Sequence, residues 1–193
     1  MRLFVAVYPT EEALEHLAAA VSRLRLGAAA ASGVNVRLTA RPLWHVTLAF
    51  LGEVADERVR VAEEAVREGV RSWLAGGGRP PALRLAGGGR FGRRRFTVMW
   101  VGLQGEVDQL RSLGDAVRAH LRRSRVDYDR KPLRPHLTFA RPGDRLPEAD
   151  LTADLATLAG YEGPGWTVDQ VYLVRSHLGP TPVHERLVGV SLR

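Results

Sequence analysis

The sequence predicts an α+β fold made of two similar lobes of antiparallel sheet with helices on the outside. Strand-like apolar segments and amphipathic helical segments alternate along the 193 residues, and no linker long enough to separate two domains interrupts them. One short pattern also occurs twice, as His45-Val46-Thr47-Leu48 and as His136-Leu137-Thr138-Phe139, each shortly after a proline. We therefore expect residues 1–193 to form a single bilobal domain.

The first half of the chain begins with a buried strand and a helix. Residues 3–8 are an apolar run that ends at Pro9, and Thr10 is expected to cap a helix with Glu11 and Glu12 in its first turn. The apolar stripe of this helix is Leu14, Leu17, Val21 and Leu24. The further elements predicted are a short strand at 34–38, the first motif strand ending at 51–52, and a helix at about 56–73.

The second half is punctuated by two runs of three glycines. Gly76–Gly78, followed by Pro80 and Pro81, predicts a flexible break, and Gly87–Gly89 is a second glycine run. Strands are expected at 82–86, 96–103, the second motif, 166–174 and 187–192. Helices are expected at about 106–123 and in a short segment that Pro147 opens.

The composition is that of an ordinary soluble globular protein, with 45% hydrophobic and 25% charged residues. No apolar run approaches the length that spans a bilayer, and residues 1–8 are too short for a signal peptide. Cysteine is absent, which excludes disulfides, thiolate nucleophiles and Cys-ligated zinc. We expect a cytoplasmic protein without a membrane partner.

The chain is strongly basic, with a net charge of +7 and a sequence pI near 10.8. This balance favours a polyanionic partner such as RNA, since nearly all the positive charge is arginine, which contacts phosphate through two donors at once. Codon bias in a GC-rich genome is the alternative explanation, because Ala and Gly are abundant and Asn35 is the only asparagine. Residues 90–95 carry four arginines around Phe91 and fit either a nucleic-acid contact or a solvated hairpin tip.

The repeated pattern carries the chemistry. On a strand, His45 and Thr47 point to one face, as do His136 and Thr138, so facing strands would deliver two imidazoles and two hydroxyls to one place. One imidazole can act as a base while the other acts as an acid, which suits phosphodiester cleavage. Six His and nine Thr predict roughly 0.3 such triplets by chance, so two copies argue against unrelated half-exposed strands.

With these motifs, the chain resembles the 2H phosphoesterase superfamily and, within it, the bacterial RNA 2′,3′-cyclic phosphodiesterase family, historically called 2′-5′ RNA ligase. The resemblance covers nearly the whole chain. The segments that carry it are Leu3–Val7, His45–Gly52, Phe91–Trp100, Pro135–Arg141 and the Ser176-x-Leu178-Gly179-Pro180 stretch.

The resemblance implies a pseudo-two-fold fold with a central cleft, and hydrolysis of RNA 2′,3′-cyclic phosphate ends to 2′-phosphates. By this likeness His45 donates a proton to the leaving oxygen and His136 is the base that activates water. Thr47 and Thr138 hold the phosphate, and Arg141 pairs with it. The chain departs from the family at His184, where members often carry tyrosine, so details of that wall of the cleft differ.

Other functions fit the same residues. A 2′-5′ RNA ligase would use the same acid and base in the opposite direction, and a non-catalytic RNA or nucleotide-binding module would keep the cleft without turnover. A zinc site fits poorly, because two histidines lack a third ligand nearby. We expect no metal and no other cofactor. The expected partner is RNA with a 2′,3′-cyclic phosphate end or a small cyclic nucleotide, bound by a monomer.

Overall fold

The computed structural model describes residues 1–193 and contains eight strands and five helices. The strands are β1 (Arg2–Val7), β2 (Val46–Glu53), β3 (Ala82–Phe91), β4 (Val98–Gly105), β5 (Leu137–Ala140), β6 (Glu162–Thr167), β7 (Gln170–His177) and β8 (Val183–Ser191). The helices are α1 (Glu11–Ser22), α2 (Arg25–Ala31), α3 (Val59–Ala75), α4 (Val107–Arg123) and α5 (Glu148–Ala159). None of the helices is both long and apolar enough to cross a membrane.

All eight strands form one antiparallel sheet in the order β6-β3-β4-β5-β2-β1-β7-β8. Its two halves meet where β2 pairs with β5, at Val46 and Leu137. The predicted α+β class is confirmed, and the two lobes are the two halves of this continuous sheet. The motif strands are therefore direct neighbours at its centre.

The two halves are related by a pseudo-two-fold. From the centre outwards, β5-β4-β3-β6 corresponds to β2-β1-β7-β8. In each half a helical segment connects the central strand to its neighbour in the sheet, α1 and α2 between β1 and β2, and α4 between β4 and β5. Each of these segments packs on the opposite half, because α1 contacts β6 and β3 while α4 contacts β2. The remaining helices pack on these segments, with α3 against α4 and α5 against α2.

The helices cover only one face of the sheet. In β1, Leu3, Val5 and Val7 join the main core, whereas Phe4 and Ala6 point to the other face. In β5, Leu137 and Phe139 are fully buried in the main core and alternate with the motif side chains. Because side chains alternate along a strand, His136 and Thr138 lie on the face without helices.

The sheet must curl strongly, because β6 and β7 are consecutive in the chain but far apart in the sheet order. Only Val168 and Asp169 separate them, and three Cα steps span at most about 11 Å. The prediction of one strand at 166–174 was therefore wrong. The segment is two strands on opposite sides of a curled sheet, joined by a turn.

The glycine run Gly87–Gly89 does not interrupt β3, which continues through it to Phe91 with one bulge. A Cβ added at Gly89 would lie 2.3 Å from the Trp100 ring, and one at Gly88 would lie 2.7 Å from the Leu158 side chain. Because these two glycines have no side chains, β3 can pack closely against the Trp100 indole and against helix α5. The prediction that the strand ends at residue 86 was therefore wrong, because these glycines make room for neighbouring side chains.

Two further local predictions were wrong. Residues 34–38 form no strand, and only Leu38 makes an isolated bridge, to Ala140. The stripe predicted for the first helix includes Leu24, but α1 ends at Ser22 and Leu24 immediately precedes a separate helix, α2. The alanines of α2 favour a helix, but a helix of seven residues is too short to be stable alone and depends on tertiary contacts.

Helix α2 is tied to α5 by a buried carboxylate. Asp154 is 2% exposed, and its two oxygens accept hydrogen bonds from the backbone N–H groups of Arg25 (2.8 Å) and Leu26 (3.0 Å). The residue before α2, Leu24, has no side-chain acceptor to satisfy these donors. Asp154 therefore caps α2 from a neighbouring helix.

We predict that Asp154→Ala lowers the free energy of unfolding by about 2–3 kcal/mol, because it leaves one buried and one partly buried N–H group without acceptors. The matched control is Asp150→Ala on the same helix, which removes an exposed ion pair with Arg25 and should cost less than about 1 kcal/mol. Urea unfolding followed by circular dichroism measures both. Equal losses for the two variants would contradict the capping role.

Candidate active site

The two motifs are brought together by the register of the central strands. Val46 is paired with Leu137 in antiparallel orientation, and this register sets Thr47 beside His136 and His45 beside Thr138. Each histidine immediately precedes its strand and points to the same face as its threonine. The structure thus brings together the four residues that the repeated pattern singled out.

Both imidazole rings are held in the same way. His45 Nδ1 lies 2.6 Å from the carbonyl oxygen of Leu43, and His136 Nδ1 lies 2.6 Å from that of Arg134, two residues earlier in each case. A carbonyl can only accept, so Nδ1 must carry the proton that it donates. In a neutral ring the free lone pair is then on Nε2 in both histidines, which makes Nε2 the reactive nitrogen.

Burial lowers the pKa of both histidines. It lowers the pKa of His45 to about 4, against the opposing effect of the bond to the Leu43 carbonyl. The charges of His184, His136 and Arg141 lower the pKa of His45 further. Burial also lowers the pKa of His136 from its ordinary value of 6.5, and Arg141 again contributes. Both imidazoles are therefore neutral at pH 7 in the ligand-free protein.

Aromatic rings surround each histidine in a related arrangement. The ring centroid of His45 lies 4.6 Å from that of Phe4 and 5.1 Å from that of His184. On the other half, the ring of Phe91 lies edge-on to His136 at 4.9 Å, and Trp100 lies at 6.1 Å. These contacts fix the ring planes and account for the burial that lowers both pKa values.

A cleft of about 840 Å³ opens on this face. Thr47, His136, Thr138 and Arg141 line it, as do the basic side chains of Arg118, Lys131 and Arg134. His45 lies beside this cavity, not in its lining, and its ring contacts Tyr8 (6.0 Å between centroids) as well as Phe4. The cleft can hold an anion next to the His136 imidazole, while the His45 imidazole lies on the neighbouring strand.

The sequence did not single out several residues that shape the cleft. Arg118 Nε donates to the Leu48 carbonyl at 2.8 Å, and one of its terminal nitrogens donates to the Lys131 carbonyl at 3.1 Å. Arg118 thereby attaches the wall at residues 128–133 to β2. Trp100 and Arg118 belong to a strand and a helix whose patterns indicate only their buried faces, so no local signal marks them as site residues.

His184 lies where the family resemblance pointed to a difference. It is on β8, and its ring contacts Phe4 at 4.9 Å as well as His45. Its Nδ1 is buried without a hydrogen-bond partner in the protein, and burial lowers its pKa. Its imidazole is a second titratable ring beside His45, and any positive charge on it opposes protonation of His45.

No three or more histidine, aspartate or glutamate side chains cluster in a way that could hold a metal ion. Around the two motifs the charged groups are mainly cationic. The expectation that the reaction needs no metal stays a prediction.

Residues 13–180 match the family described as the 2′-5′ RNA ligase superfamily. Two relatives carry the name RNA 2′,3′-cyclic phosphodiesterase. That of Geobacillus stearothermophilus is 29% identical over 150 residues, or 77% of this chain and 45% of the relative, so the chain spans less than half of that protein. That of Methanothermobacter thermautotrophicus is 29% identical over 188 residues, covering 93% of this chain and 92% of the relative.

The fold is shared with a solved structure. The crystal structure of TT0787 of Thermus thermophilus superposes with a TM-score of 0.73 and 28% sequence identity, over 100% of this chain and 98% of that one. The family match includes both His-x-Thr motifs and most of the residues between the first helix and β8. The chain therefore belongs to the 2′-5′ RNA ligase superfamily.

Proposed function

We propose that this protein hydrolyses RNA 2′,3′-cyclic phosphate ends, or small 2′,3′-cyclic nucleotides, to 2′-phosphates. The observation that supports this most is the matched pair of imidazoles, each with Nδ1–H bonded to a carbonyl and Nε2 left free. An acid and a base of this kind, a strand apart beside an arginine-lined cleft, fit in-line displacement at phosphorus. The two relatives named as RNA 2′,3′-cyclic phosphodiesterases give independent support.

In the proposed reaction His136 Nε2 accepts a proton from water as the water oxygen forms a bond to phosphorus. The bond from phosphorus to the 3′ oxygen breaks on the opposite side, and His45 Nε2 donates a proton to that oxygen. Thr47 and Thr138 donate hydrogen bonds to the phosphate, and Arg141 pairs with its charge. These roles follow the family resemblance.

Substrate binding raises the pKa of His45, which has to be protonated to act as an acid. With a pKa of about 4, His45 is neutral in the empty site at pH 7. A bound cyclic phosphate carries one negative charge, which favours the protonated imidazole and raises its pKa. Arg141 has the opposite effect on both histidines until its charge is paired with phosphate. Phosphate binding therefore favours the protonated His45 that acts as the acid.

We further propose that the protein acts as a monomer in the cytoplasm and needs no metal. Both histidines belong to one chain and meet within one sheet, so catalysis needs no second copy. The absence of cysteine fits a reducing compartment.

The deciding experiment uses an RNA oligomer that ends in a 2′,3′-cyclic phosphate, a second oligomer with a free 5′ hydroxyl, and buffer with EDTA. We expect the first oligomer to gain one water, which mass spectrometry detects, and to become sensitive to phosphatase. A joined product would indicate a ligase. Recovery of unchanged oligomers would indicate a binding module, and activity restored only by an added metal would contradict the metal-free mechanism.

In the same assay His45→Ala and His136→Ala should each lower turnover by about 10²- to 10⁴-fold, the usual range for general acid or base catalysis. The double variant should lose much less than the product of the two effects, as coupled catalytic residues do. His16→Ala is the matched control, because His16 lies on α1 and is bonded to Tyr161, away from the motifs. Near-normal turnover of either motif variant would refute the paired roles.

The pH dependence follows from the lowered pKa values. The pH profile of kcat/KM reports the pKa values of the free enzyme, where the pKa values of both histidines are lowered below 6.5. The bell-shaped profile should therefore be centred below pH 6.5. The kcat profile reports the complex, in which the phosphate raises both pKa values, so it should lie at higher pH. Arg141→Ala removes a positive charge and should move the kcat/KM profile to higher pH. Arg145→Ala, at an exposed position, should not move it. A downward shift with Arg141→Ala would contradict this account.

A further inference from the structure

A second basic cavity adjoins the catalytic cleft and has no part in the chemistry above. It has a volume of about 560 Å³ and runs along one face of α4. We call it the α4 groove, and its main lining residues are Arg111, Asp115, Arg118, Arg122, Tyr128 and Arg130. We propose that the α4 groove binds the RNA chain that precedes the cyclic phosphate, an inference that rests on the proposed function. The preferred substrate is then a polynucleotide and not a mononucleotide.

The groove and the cleft adjoin each other. Arg118, Pro132 and Leu133 line both cavities, so the two share an edge at these residues. Arg118 is fixed at the junction because two of its nitrogens donate to the Leu48 and Lys131 carbonyls. A ligand that fills the cleft next to His136 and is longer than one nucleotide can therefore extend into the α4 groove past a rigid cation.

The chemistry of the substrate requires a single path for the RNA chain on the 5′ side of the cyclic phosphate. A 2′,3′-cyclic phosphate can only be the last group of an RNA chain, so every other nucleotide lies on its 5′ side. An enzyme acting on this end has to accommodate the upstream chain in one direction only. The α4 groove offers that direction from the phosphate site at Arg141 and His136.

The charge of the groove suits a phosphodiester backbone. Arg111, Arg118 and Arg122 lie on one face of α4 and span about 16 Å at about 1.5 Å per residue, and Arg130 faces them from the next segment. Asp115 is the one carboxylate in the lining, and Arg111 is paired with Asp108 at 2.7 Å. Arg122 and Arg130 are exposed and take part in no salt bridge, so both can pair with phosphates.

The groove also contains an aromatic surface. The Tyr128 ring lies among these arginines, with the Arg118 guanidinium 5.8 Å from its centroid. Single-stranded nucleic acid is typically held by cations that follow the backbone and by aromatic rings on which bases stack. An acidic protein would be held by the cations alone, so Tyr128 and the shared edge with the catalytic cleft favour RNA.

The test compares two substrates in Arg122→Ala/Arg130→Ala. The probes are uridine 2′,3′-cyclic phosphate and an eight-nucleotide oligouridylate with the same end. We expect kcat/KM for the oligomer to fall roughly 3- to 30-fold, the effect of two exposed charge contacts, and kcat/KM for the mononucleotide to stay unchanged. Binding of the 2′-phosphate oligomer, followed by fluorescence anisotropy, should lose about 1.4 from its slope against log salt, at about 0.7 per phosphate contact.

The matched control is Arg60→Ala/Arg67→Ala, which removes the same charge from exposed positions on α3. It should leave both substrates and the salt slope unchanged. The inference is overturned if both double variants weaken oligomer binding equally, since general charge then suffices, or if neither does, as expected when the groove takes an acidic protein. Failure of the proposed function is a separate outcome, because the wild-type protein would then leave the mononucleotide uncleaved.

Discussion

The pairing of β2 with β5 is the contact on which the rest of the structure depends. It joins the two halves of the sheet through Val46 and Leu137, and it places the two histidines at diagonal positions on neighbouring strands, on the face without helices. The curl of the sheet, the crossed packing of α1 and α4 and the buried core on the other face all hold this junction in register. A slip of one residue would turn His45 or His136 into the helical layer, where an unpaired imidazole is costly.

The ligand-free site is arranged around neutral imidazoles and fixed cations. Aromatic rings bury His45 and His136 and lower their pKa values, while carbonyl bonds to Nδ1 decide which nitrogen can react. Arginines at 118, 134 and 141 supply the positive charge that attracts phosphate. In the proposed mechanism a bound phosphate favours the protonated form of His45, which couples recognition of the phosphate charge to acid catalysis.

The sequence predicted the features that repeat and missed those that depend on tertiary contacts. The α+β class and the amphipathic helices follow from local periodicity, and the structure confirms both. The paired His-x-Thr motifs are visible as a repeat, and the structure places both copies on neighbouring central strands. The role of Gly88 and Gly89 could not be predicted, because it depends on Trp100 and Leu158, which are distant in sequence. The turn at Val168 and Asp169 has no glycine or proline to mark it, and the curl of the whole sheet explains why the chain turns there. Arg118 is one of many arginines, and its place between cleft and groove depends on how α4 meets β2.

In the proposed reaction two non-equivalent imidazoles act from opposite sides of one phosphorus atom. Since water and the leaving oxygen must then lie in line, the cyclic phosphate can open in one orientation only. The most direct measurement is phosphorus NMR of the product from a nucleoside 2′,3′-cyclic monophosphate. We expect a 2′-phosphate alone. A 3′-phosphate, or an equal mixture of the two, would contradict the roles assigned to His45 and His136 even if both residues proved essential.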